Sequence, residues 1–117
     1  MSSHRRLAAG SDLTDVQVIS LELYLRFRSG ELTLKEAAAL RDGGVSIGSF
    51  YRTVQQARHR VRSACITLLV ALWVGVVRAE DLRRLLEIAG RGAPNFSEAE
   101  EDQLLAVLGA LVDKIVM

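Results

Sequence analysis

Apolar residues recur early in the chain at Val16, Ile19, Leu23 and Phe27, the three- and four-residue steps of a helix with one buried face. The pattern predicts a first helix from about Asp12 to Ser29. Asp12 and Asp15 complement the start of its dipole, Arg26 and Arg28 complement its end, and Gly30 supplies the stop. Thr33-Leu34-Lys35-Glu36 fits a capping box, in which threonine and glutamate satisfy each other's orphan amides, so a second helix begins there. Ala37, Ala38, Ala39 and Leu40 continue it, and Gly43-Gly44 ends it after about nine residues.

Ser46 then caps a third helix that starts at Ile47, with Ile47, Phe50, Val54, Ala57 and Val61 on its inward side. No strong breaker follows before Gly75, so this helix is expected to be long, and from Cys65 onward it is apolar on every side. That pattern predicts burial all round. A shorter helix from about Glu80 to Ile88 closes at Gly90-Arg91-Gly92, and Pro94-Asn95 makes a turn. Ser97 with Glu100 repeats the capping signal and opens a last helix to about Val116. No strand-like alternation and no internal repeat competes with these elements. The expected fold is all-α, with about five helices.

Half of the 117 residues are apolar and a quarter are charged, with one proline, which excludes a disordered or low-complexity chain. The length is that of one ordinary domain. Aromatic residues are few, so the core must be built from Leu, Val, Ile and Ala. A single cysteine, Cys65, cannot form an internal disulfide, and nothing marks a stapled secreted scaffold. The run Ala64–Val77 is uninterrupted and apolar for 14 residues. As a helix it spans about 21 Å, short of the roughly 30 Å of hydrocarbon in a bilayer. The basic N-terminus is followed by polar and acidic residues, not by a signal-peptide core. The expectation is a cytoplasmic protein with no membrane contact.

Catalytic chemistry finds no foothold. A nucleophile needs a base in reach, and the only pairing is Cys65 with His4 or His59. A thiol in an apolar run is normally inert, and His4 lies in what reads as a frayed tail over residues 1–11. Three Cys and His residues so spaced do not make a zinc site. The acids Glu98, Glu100, Glu101 and Asp102 sit where a helix start favours them, which accounts for them without a cation. Neither glycine pair has the lysine, serine and flanking strand of a phosphate loop. The chain is expected to be neither an enzyme nor dependent on a cofactor or metal.

Charge changes the picture locally. Residues 1–62 carry ten Lys/Arg against six Asp/Glu, a balance of +4, and residues 63–117 carry five against eight, a balance of −3. Arg52, Arg58, Arg60 and Arg62 follow Asp42 with no acid between them. A solvated face usually mixes both signs, so this run points to a polyanion. Residues 32–62 also read as helix, tight turn, helix, with the small residues Ala37 and Ala38 and a turn glycine that a close, steep crossing requires. That is the helix-turn-helix layout, whose second helix enters the major groove of DNA.

The segments Leu32-Thr-Leu-Lys-Glu-Ala-Ala, Gly44-Val-Ser-Ile-Gly-Ser-Phe50 and Ala57-Arg-His-Arg-Val-Arg62 together resemble the fourth region of bacterial sigma factors and related helix-turn-helix regulators. In those proteins a serine, a glycine and a serine or threonine open the recognition helix, which ends in an Ala-Arg-x-Arg-apolar-Arg run. The resemblance covers residues 32–62 alone. Between the alanine pair and Gly44 the chain carries Ala39-Leu40-Arg41-Asp42-Gly43, more than the family usually has, so a wider turn is expected. The C-terminal residues do not resemble the rest of a sigma factor.

Independently of the resemblance, an inward Phe50 and Val54 turn Gly48, Tyr51, Arg52, Gln55, Arg58, His59 and Arg62 outward. Tyr51, Arg52 and Gln55 fall in the first two turns, where arginine pairs with guanine and glutamine with adenine. Ser46 and Ser49, beside the free amides of the helix start, suit a phosphate oxygen, and Gly48 leaves room for close approach. Arg58 and Arg62 suit backbone charge. Tyr51, next to Phe50, equally suits packing on the first helix.

The reading is a tail over 1–11, a helix-turn-helix unit over 12–62 and an apolar helical dimerisation region over 63–117. The function it implies is sequence-specific binding of double-stranded DNA by a small transcriptional regulator acting as a homodimer. The alternative is a helical protein-interaction module whose basic helix docks an acidic partner.

Overall fold

The computed structural model describes residues 10–90 and 98–116. Within them lie five α-helices and no strand: α1 Asp15–Arg28, α2 Leu34–Leu40, α3 Ile47–Val74, α4 Ala79–Gly90 and α5 Glu98–Ile115. The chain divides into two compact units, Met1–Ser63 and Ala64–Met117, and α3 runs unbroken through the division. Most of the tail over 1–11, the turn at Pro94-Asn95 and the cap at Ser97 lie outside the described residues, as does His4.

α1 begins later than the apolar spacing suggests. Its N-cap is Thr14, whose hydroxyl accepts from the Gln17 backbone amide at 3.1 Å while the Gln17 side-chain Oε1 accepts from the Thr14 backbone amide at 3.1 Å. Asp12 therefore stands outside the helix. The inward face is displaced as well: Val16 is exposed, while Gln17, Val18, Ser20 and Leu23 are buried. The Ser20 hydroxyl is fully enclosed and has no partner among the described residues, an arrangement that costs about 1–3 kcal/mol. Gly30, at φ +88°, takes the chain out of the helix.

The capping box of α2 is formed as the sequence implies. The Glu36 amide donates to the Thr33 hydroxyl at 3.1 Å, and the Thr33 amide donates to the Glu36 carboxylate at 3.0 Å. α2 is shorter than expected, with seven residues and its C-cap at Arg41. The Thr33 amide, and after it the Thr33 hydroxyl, holds the Glu36 carboxyl below its ordinary range. Because the folded value is the lower one, this contribution is complete at neutral pH and is lost as acid protonates Glu36 in the folded chain. Thr33→Ala is expected to lower stability by about 1 kcal/mol. Glu36→Gln keeps the reciprocal bonds yet removes the acid-sensitive step. Thermal melts at neutral and acidic pH read both, and a Thr33→Ala melt identical to wild type contradicts the expectation.

The core of the first unit is Leu23, Ala37, Ala38, Phe50 and Val54, with Ile19, Tyr24, Leu32 and Val45 packed around it. Ala37 and Phe50 are completely buried, and the Phe50 ring shares one core with Leu23 of α1 and the alanine pair of α2. The buried stripe of α3 is confined to its first three turns, at Phe50, Val54 and Ala57. Ile47 and Val61, expected to point inward, are each 43% exposed.

The apolar run is not buried all round. Ile66, Leu69, Val70, Trp73 and Val74 are exposed, Trp73 by 84%, and Cys65 is exposed as well. The physical reason is a shortage of cover, because α4 and α5 pack on each other. Val77 and Leu108 are the buried apolar residues described in this unit. α3 stops at Gly75, whose φ of +96° a side chain would disfavour. Among the described residues no helix is long and apolar enough to cross a membrane.

Candidate functional site

The site is built on the link between α2 and α3. Gly43 and Gly44 both take positive φ, +75° and +81°, which turns the chain after α2 in a way non-glycine residues resist. The Val45 amide donates back to the Ala38 carbonyl at 3.0 Å, and Arg41 Nη1 donates to Thr53 Oγ1 at 2.9 Å, tying the link to both helices. Ser46 caps α3 by accepting from the Ser49 amide at 3.1 Å. Its oxygen is engaged in folding, so the amides of Ile47 and Gly48 are the open donors at this helix start.

All nine residues singled out in the sequence, Ser46, Gly48, Ser49, Tyr51, Arg52, Gln55, Arg58, His59 and Arg62, are exposed. Gly48, Arg52, Gln55 and His59 lie opposite the buried Phe50, Val54 and Ala57, at the centre of the outward face. The others flank it. Tyr51 leans on α1, its ring centroid 6.4 Å from that of Tyr24, so the packing role takes up part of this side chain. Arg52, Arg58, His59 and Arg62 make no ion pair with any described residue. Arg60, by contrast, donates to the backbone carbonyl of Asp12 and pins the chain entering α1.

Two grooves run along α3 in this unit. One, of about 510 Å³, is lined by Arg52, Gln55 and His59 together with Gln17, Gln56 and Arg60. The other, of about 640 Å³, brings Arg58, Val61 and Arg62 against Leu21, Tyr24, Leu25 and Arg28 of α1. No carboxylate lines either groove. Gln17 and Arg28 are the α1 contributions that the reading of α3 alone missed. The Thr14-x-x-Gln17 pattern is a sequence signal that fixes Gln17 at the first turn.

The cationic and amide donors on this face match the acceptors of a phosphate backbone and of base edges. No group of Cys, His, Asp and Glu among the described residues is arranged to hold a metal ion. An added Cβ at Gly48 meets nothing within 4 Å. Gly48→Ala is therefore expected to stabilise α3 by about 1 kcal/mol. If a duplex sits against this face, the same change weakens binding to it. A melt together with a binding titration measures both effects, and a variant bound as tightly as wild type contradicts close approach at this position. Comparison of the chain with family models, curated proteins and solved structures finds no match.

Proposed function

We propose that this chain is a sequence-specific double-stranded DNA-binding protein, a small transcriptional regulator whose reading element is the first half of α3. The observation that carries the proposal is the outward face centred on Arg52, Gln55 and His59, cationic, free of acid and presented by a helix packed across α2. The resemblance of residues 32–62 to the fourth region of sigma factors supports the same reading. Arg52 and Gln55 are assigned to base edges, Arg58 and Arg62 to phosphates.

The proposal includes a homodimer formed through the second unit. From Ser63 to Val77 the chain carries no charge, and Trp73 and Val74 are 84% and 71% exposed. Each of α1, α2, α4 and α5 carries charged residues. The surface that matches an uncharged apolar face is the same face of a second copy, which makes an isologous pair. Two reading helices then address half-sites about 34 Å apart.

Binding to random duplex at two salt concentrations tests the function, since phosphate contacts weaken steeply with salt. Arg52→Ala is expected to lose about 1–3 kcal/mol at one base position, while Arg62→Ala weakens all duplexes alike and flattens the salt dependence. Equal losses from both changes on every duplex overturn the assignment of roles. A chain that ignores duplex at low salt but captures an acidic protein supports the interaction-module reading instead.

A further inference from the structure

The groove between α1 and α3 has a chemistry that base reading does not call for. Its apolar lining is Leu21, Tyr24, Leu25 and Val61. Leu25 is 66% exposed in this lining, an apolar side chain left in water beside other apolar groups. The rim is Arg28 from α1 and Arg58 and Arg62 from α3. None of these three arginines has an ion-pair partner among the described residues. A greasy lining with an unneutralised cationic rim complements one class of ligand, an amphipathic anion with an apolar body and a carboxylate head.

We propose that this groove binds a medium-chain or arylalkyl carboxylate, and that its occupancy opposes DNA binding. Charge and length argue for a small amphipathic anion over a partner helix, since three arginines line an otherwise apolar groove. The α1 wall from Leu21 to Arg28 is about 10 Å long, two helical turns, which matches an extended acyl chain but is short for a docked helix. The arginine forks hold the carboxylate, and the body covers Leu25 and Val61. Opposition to DNA follows from sharing. Arg58 and Arg62 are the side chains assigned to phosphates, and a guanidinium engaged with a bound carboxylate is withdrawn from them. This second half rests on the DNA-binding reading; the first half does not.

Decanoate is the probe, titrated by calorimetry into the full chain below its critical micelle concentration, with decanol as the uncharged control. The expected result is saturable binding of decanoate, at least about tenfold tighter than decanol because the charge-assisted contacts are lost with the carboxylate. Leu25→Gln and Arg28→Ala are each expected to weaken decanoate by about tenfold or more. Leu25 lies on the exposed surface of α1 and outside the residues assigned to DNA. Saturating decanoate lowers affinity for duplex in the wild-type chain, and Leu25→Gln abolishes that effect without changing affinity in its absence. No saturable binding, equal binding of decanoate and decanol, or variants that bind like wild type each overturn the site. Saturable binding with unchanged duplex affinity overturns the opposition. A chain that binds no duplex even without decanoate refutes the DNA reading, and the calorimetric titration still decides the groove.

Discussion

Val70→Glu is expected to turn dimers into folded monomers. Val70 is half-exposed in the single chain, so a glutamate there meets water and leaves the fold of one copy intact. In the proposed pair, the same position would lie within the uncharged face formed with Ile66, Leu69 and Trp73, and a two-fold relation would bring in two carboxylates without a cation between them. An unpaired charge removed from water costs several kcal/mol. With about 1.4 kcal/mol to each factor of ten, the dimer dissociation constant is expected to rise at least about a hundredfold. Sedimentation equilibrium at micromolar concentration measures it. A wild-type chain already sedimenting at single-chain mass, or a variant with unaltered dimer mass, refutes pairing through this face. The variant also separates two contributions to DNA affinity. It should lose the advantage of paired half-sites and retain affinity for one.

Phe50→Ala is expected to be the most damaging change to the first unit. The ring is completely buried and touches the packing of all three helices through Leu23, Ala37 and Ala38. Truncation leaves a cavity between helices whose backbones are already held by the glycine link and the Arg41 to Thr53 bond. Large-to-small changes of this kind cost about 3–5 kcal/mol, a large part of what a small domain has. Denaturant unfolding followed by circular dichroism gives the value. A loss under about 1 kcal/mol would show that the core repacks freely.

Much of the first unit was legible because its local signals agree with its tertiary packing. Thr33 with Glu36, the glycine pair, Ser46 and the spacing Phe50, Val54, Ala57 each specify a local conformation, and the three helices satisfy them together. The errors have physical causes. An acid near a helix start favours a boundary at Asp12, but the reciprocal bonds of Thr14 and Gln17 decide where α1 begins. Burial of Gln17 and Ser20 is invisible to an apolar pattern, since both are polar. The apolar run misled in the opposite sense. Periodicity reports what wants cover, and among the described residues α4 and α5 pack on each other. At the candidate site, the outward face of α3 followed from spacing alone, whereas its grooves needed α1 residues such as Gln17, Leu25 and Arg28, brought there by the fold.

The uncovered face of α3 also separates two clocks. The first unit is built from helices that are neighbours along the chain, and its core spans residues 19 to 54. Contacts of such short sequence separation close in microseconds to milliseconds. Covering Trp73 and Val74 by a second copy is bimolecular, so its rate scales with protein concentration. Under the proposed pairing, a newly made chain completes its first unit early and carries a charge-free apolar strip until it meets a second copy. Dilution lengthens that interval, and raising expression shortens it while making encounters with unrelated greasy surfaces more frequent.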